Sequence, residues 1–164
     1  MTERLSTELS AMLDAYDVVR SADELRRKRL ETEKLAFLAG FAELRAHVVR
    51  PVFEAAGAML KARGHDFTIR EKEFVFEADG KIHEAAISLR ITPAGMESAA
   101  PADAPLRELS FSTRYYNKTV CIANGALPQS GSLAGAAGSQ ALSQIDTQLV
   151  EDHLLKLFAV LVRA

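Results

Sequence analysis

The chain has 164 residues, 48% of them hydrophobic, and carries 20 Lys+Arg against 22 Asp+Glu for a formal net charge of −2. That is enough chain for one core that needs no metal or disulfide staple. It is too balanced in charge for a dedicated nucleic-acid binder, and its one cysteine, Cys121, excludes an internal disulfide framework and a multi-cysteine zinc site.

In chain order, residues 1–63 read as helical. Leu5, Leu9, Met12, Leu13, Tyr16 and Val19 recur at spacings of three and four, so they form one stripe on a first helix. Ser21-Ala-Asp-Glu24 has the form of a capping box, which predicts that a second helix starts near Ala22. Its stripe runs through Leu30, Phe37, Phe41, Leu44, Val48, Val52, Ala56 and Met59, with Arg27 and Lys34 on the same seam. Pro51 removes a backbone donor and crowds the preceding turn, so the helix should kink or restart there as a piece over Pro51–Arg63, with Gly64 closing it.

Residues 66–124 read as two β-hairpins. Asp79-Gly80 predicts a two-residue turn that sets Phe76 against His83 and Phe74 against Ala85. That register leaves Phe67 and Ile69 on the wrong face, and a β-bulge within Arg70–Glu73 would return them. The second hairpin, turning at Tyr116-Asn117, sets Phe111 against Ile122 and Thr113 against Val120. Pro93–Pro105 and the glycine-rich Asn124–Ser139 read as flexible connections. A last helix fills residues 140–163, starting between Gln140 and Gln144, with its stripe through Leu142, Ile145, Leu149, His153 or Leu154, Leu157, Phe158 and Leu161. The expected fold is therefore a single α+β domain over 1–164. Its four-stranded antiparallel sheet packs in two layers on helices, with a long N-terminal helical segment and a C-terminal helix.

Chemistry-bearing motifs are sparse. The four histidines, His47, His65, His83 and His153, form no metal-ligand spacing, and the closest to a functional pairing is His83 with Glu73, Glu77 or Glu84. Cys121 alternates away from the apolar sheet face and has no activating neighbour. Gly131-x-x-x-Gly135-x-x-Gly138 matches neither dinucleotide nor P-loop spacing and has no lysine to reach a phosphate. Arg26-Arg27-Lys28-Arg29 is flanked by Glu24, Glu31 and Glu33, as on a solvated helix face. These patterns assign no catalytic, cofactor-binding or metal residue.

The architecture is similar to that of bacterial secretion chaperones and related small dimeric adaptors. That resemblance implies a non-enzymatic, homodimeric protein that holds a protein partner. The expected partner or dimer surface is Phe37, Phe41, Leu44, Val48, Tyr115 and Tyr116, with self-association centred on Phe37–Val52. The alternative is a small-molecule-binding domain or enzyme, with a pocket of Phe74, Phe76, His83 and Phe111 between the sheet and the C-terminal helix. Leu157–Val162, the longest apolar run near the C-terminus, is far shorter than the roughly 20 residues of a membrane span. No secretory pattern opens the chain, so the expected setting is the cytoplasm, with no membrane and no nucleic-acid partner.

Overall fold

The structure is a computed structural model that describes residues 2–95, 107–124 and 136–163. The chain divides into two compact units, Met1–Ala36 and Phe37–Ala164. Most of the expected loop Pro93–Pro105 and most of Asn124–Ser139 lie outside the described residues, and so does the expected mobility of these segments.

The first unit is helical from Glu3 onward. Helix α1 runs unbroken over Glu3–Leu44, so the boundary expected at Ser21 does not exist. Nothing between Val19 and Ala22 breaks a helix, and a Ser-x-x-Glu pattern caps only where the backbone is already leaving one. Every residue from Thr2 to Glu33 is exposed.

In the second unit the helical chain passes directly from α1 into a π-turn, Arg45–Val49, and then into α2, Arg50–Ala62. Val49 and Arg50 keep helical dihedrals, and the Arg50 N–H donates five residues back to the Arg45 carbonyl. The widened turn sits just before Pro51, whose ring would otherwise press on the preceding turn. Pro51 thus sits in the first turn of α2, where the α-helix resumes after the π-turn, within one residue of the piece predicted over Pro51–Arg63. The consequence is a change of face. Beyond Phe41 the buried row continues as Arg45, Val49, Phe53 and Gly57, while Leu44, Val48, Val52 and Ala56 form a half-buried row beside it. A step of four overshoots an α-turn by about 40°, and the π-turn takes up part of that drift. The helix ends as the sequence predicts: Gly64 has φ +87°, its N–H donates to the Lys61 carbonyl, and the His65 N–H donates to that of Leu60.

The sheet has five antiparallel strands in the order β1-β4-β5-β6-β7, where β1 is Asp66–Lys72, β4 Ala86–Thr92, β5 Glu108–Arg114, β6 Thr119–Asn124 and β7 Ala136–Gln140. Between β1 and β4 the chain makes a separate ribbon of β2, Val75–Phe76, and β3, Ile82–His83. Four strands were expected. The fifth, β7, is built of Ala-Ala-Gly-Ser-Gln, which has neither β-branched side chains nor alternation to announce it. It is an edge strand held through its backbone to β6, with a register shift opposite Ile122 and Ala123 that leaves Ala137 as the extra residue.

The first hairpin corrects the sequence reading in a specific way. Its turn has three loop residues, Ala78-Asp79-Gly80, closed by the Glu77 N–H donating to the Lys81 carbonyl at 2.8 Å, with Gly80 at φ +88°. The Asp79 carboxylate accepts from the Lys81 N–H at 2.9 Å. Phe76 consequently pairs with Ile82, and His83 with Val75. The same register continues into β1 and β4, with Ile69 opposite Leu89 and Phe67 opposite Ile91. No bulge is needed within Arg70–Glu73, because the one-residue difference lies in the turn. Both arms instead leave the ladder together, at Glu73–Phe74 and at Glu84–Ala85. In the second hairpin Phe111 faces Ile122 and Thr113 faces Val120, as expected. Its loop is four residues, Tyr115–Lys118, which changes the predicted turn but not the register.

One sheet face carries Ile87, Leu89, Ile91, Leu109, Phe111, Val120 and Ile122, and these form the core with Val49 and Phe53 from the first helices and Val150, Leu154 and Leu157 from the last. The other face of the central strands is also buried but small: Ala86, Ser88, Ser110, Ser112, Cys121 and Ala123. Gly57 lets the Phe67 ring lie directly on α2, where a Cβ would overlap it. The last helix, α3, spans Thr147–Arg163 and begins later than expected, after a 3-10 turn over Leu142–Gln144. Its cap is Asp146, whose carboxylate accepts from the Leu149 N–H at 2.8 Å.

Candidate functional site

The shifted face of α2 creates the most distinctive surface of the second unit. Three rows run side by side along the π-turn and α2. Val49, Phe53 and Gly57 are buried; Val48, Val52, Ala56 and Leu60 are half-buried; His47, Pro51, Ala55, Met59 and Arg63 are exposed. Helix α3 mirrors this, with Val150, Leu154 and Leu157 inward and Thr147, Glu151 and Leu155 outward. Between the two helices lies an open groove of about 620 Å³. Its floor is Val48, Val52, Ala56, Leu60, Leu154 and Phe158. Met59 and Leu155, 68% and 66% exposed, stand on its two walls. The charged or ionisable lining residues are His47, Arg63 and Glu151, and the first two mark the ends of the α2 wall.

The proposed pocket residues from the sequence do not converge. Phe111 is fully buried, 6.1 Å from the Phe53 ring and edge-on to His153 at 6.4 Å. Phe74 lies against Tyr115 at 5.0 Å, whereas Phe76 is exposed on the ribbon. His83 is exposed and shares a 2.8 Å hydrogen bond with Glu77, one of the three partners considered for it. The proposed dimer surface is also divided. Phe37 and Phe41 are buried in the core, Leu44 and Val48 pack against it, and Tyr115 is half-buried. Tyr116 alone of the six stands fully exposed.

Comparison with protein-family models, with curated proteins and with solved structures returned no match for this chain. The site is therefore read from its own chemistry. Among the described residues no three His, Cys, Asp or Glu side chains gather where they could hold a metal ion. No described helix is long and apolar enough to cross a membrane. Cys121 is buried on the small-residue face, with the Arg114 guanidinium donating to its sulfur at 3.6 Å. His65 accepts the Ala94 N–H at 2.9 Å, and His47 pairs with Glu43 at 3.1 Å on its own helix. A groove with this lining can do one thing well, which is to shelter apolar side chains from water.

Sequence reasoning missed the groove for a definable reason. Val48, Val52 and Ala56 lie on the predicted stripe, whose Phe37–Val52 part is expected at a dimer surface and whose Pro51–Arg63 part is expected against the sheet. The one-residue advance of the π-turn gives that place to Val49 and Phe53. The usable signal was Val49 and Phe53 themselves, apolar residues beside a stripe already satisfied by their neighbours.

Proposed function

We propose that this chain is a non-enzymatic binding or adaptor protein of the cytoplasm, acting as a homodimer, that holds an amphipathic helical segment of a partner protein in the groove between α2 and α3. The observation that carries the reading is the groove itself: an apolar floor repeated every four residues, open along its length, with apolar side chains on both walls. Its α2 wall, from His47 to Arg63, is about 24 Å long, which accommodates three to four turns of a ligand helix. A helix in such a groove inserts anchors at i, i+3 or i+4, and i+7. The single cysteine requires no oxidising compartment, which supports the cytoplasmic setting.

A second reading rests on volume. At about 620 Å³ the groove also lies within the range of small-ligand sites. The two readings separate in one experiment. A displayed library of amphipathic helical peptides is selected against the protein, and the enriched peptides are measured against Met59→Glu and Leu155→Glu. Both residues are exposed, so neither change disturbs the core. Enriched helices that lose affinity at least tenfold on both variants support the proposal. Failure to enrich any helix sensitive to them overturns it, and an apolar small molecule found bound by native mass spectrometry favours the second reading.

A further inference from the structure

The first unit carries an apolar row that its own helix leaves in water. Leu9, Met12, Tyr16 and Val19 of α1 are 44% to 66% exposed, and the row begins at Leu5 with alternating steps of four and three. That is the spacing of a two-helix seam. One heptad further along, the same seam carries Asp23 and Arg26, which pair with each other at 3.5 Å. Leu5–Val19 is therefore the uninterrupted apolar stretch, and the seam turns apolar again only at Leu30.

We propose that this face is closed by the same face of a second copy of the chain, lying antiparallel and crossing near Asp14. The inference rests on the homodimeric part of the reading above and adds its surface and its polarity. Charge decides the orientation. Thr2–Val19 holds four acidic residues, Glu3, Glu8, Asp14 and Asp17, against Arg4 alone. Arg20–Ala36 holds six basic residues against four acidic, with the Arg26-Arg27-Lys28-Arg29 block within it. A parallel pair lays the acidic half on the acidic half and stacks Asp23 on Asp23 and Arg26 on Arg26. Like charges facing across an interface act as selection against that arrangement.

The antiparallel pair removes these like-charge stacks and sets Leu5 level with Asp23 at each end of the apolar layers. Leu9 packs on Val19 of the second copy and Met12 on Tyr16, and symmetry repeats both layers. Leu13 and Ala15 meet their own counterparts beside the crossing point, where the small Ala15 permits close approach. Glu8 comes level with Arg20 of the second copy, and Glu3 within one residue of Arg26. The apolar layers supply the affinity, because they take large side chains out of water, and the exposed charges choose the polarity.

The test uses the full chain. Light scattering behind size exclusion measures the mass at protein concentrations on the order of tens of micromolar, for the native chain and for Met12→Glu. A spin label at Thr32→Cys, in a Cys121→Ala background, then measures the distance between copies. The antiparallel crossing places the two labels about 54 Å apart along the axis. A parallel pair places them about 10 Å apart plus the label arms. A dimer of twice 17.9 kDa, weakened at least tenfold by Met12→Glu with helix content unchanged, and with the long label distance, supports the proposal. A short distance overturns the antiparallel assignment and leaves the homodimer reading standing. A mass of 17.9 kDa throughout overturns both, and the groove keeps its own test.

Discussion

His153 is the residue whose environment most directly affects solution behaviour. Its ring lies edge-on to the buried Phe111, and its Nδ1 is buried without a hydrogen-bond partner among the described residues. Burial pushes its pKa below 6.5, the Lys156 ammonium pushes the same way, and Asp152 opposes them. The unfolded chain therefore takes up this proton at a higher pH than the folded one. Stability from this group is complete above pH 6.5 and declines as pH falls from there toward the lowered folded value. Urea unfolding between about pH 7 and about pH 5 should show a midpoint that drops with acid, at a slope below about 1.4 kcal/mol per pH unit for this one site. His153→Leu should flatten that part of the profile. An unchanged slope in the variant would assign the acid sensitivity to other groups.

At the scale of elements, the π-turn and the interrupted hairpin are joined by one side chain. Arg45 is 8% exposed; its guanidinium donates to the Lys72 carbonyl at 3.0 Å, the Ala86 carbonyl at 3.4 Å and the Glu73 carboxylate at 2.8 Å. Lys72 and Ala86 are the last pair of the β1–β4 ladder, so Arg45 caps the ladder where its hydrogen bonds run out. Arg50 and Glu71, 3.1 Å apart, brace the same junction. Replacing Arg45 with Met should cost about 2–3 kcal/mol in denaturant unfolding, because two strand-end carbonyls lose a charged donor. Glu73→Gln should cost less than about 1 kcal/mol, since that carboxylate is mostly in water. Equal losses would mean that the ion pair, not the carbonyl cap, holds the junction. None of this was legible in the sequence. A helical stripe counted at three and four residues cannot register one added by a π-turn, and an arginine on a buried row reads as a departure from the pattern. The β5–β6 register and the Gly64 cap were legible because side-chain alternation and a glycine with positive φ are local signals. The groove and β7 were not: one depends on the π-turn and the other on backbone pairing alone.

Across the whole molecule the two units differ in what can protect them. The amides of β4 and β5 sit in a sheet buried on both faces, whereas α1 from Glu3 to Glu33 is exposed. Hydrogen exchange should be slowest in β4 and β5, close to the global unfolding limit. If α1 closes against a second copy, exchange over Leu5–Val19 should slow as protein concentration rises, by mass action, while β4 and β5 stay constant. Concentration-independent exchange in α1 would count against association through that helix.

The paired gap at Glu73–Phe74 and Glu84–Ala85 has a consequence for how this chain can vary. Strand pairing is continuous from Asp66 to Lys72 and resumes only at Val75, so the ribbon tip is coupled to the main sheet through a short unladdered joint. An insertion or deletion of one residue in the Ala78-Asp79-Gly80 loop reverses the faces of the ribbon, but the joint gives the backbone a place to absorb the phase error before it reaches Ile69 and Phe67. The tip is thereby free to change length while Arg45 keeps the sheet behind it in phase.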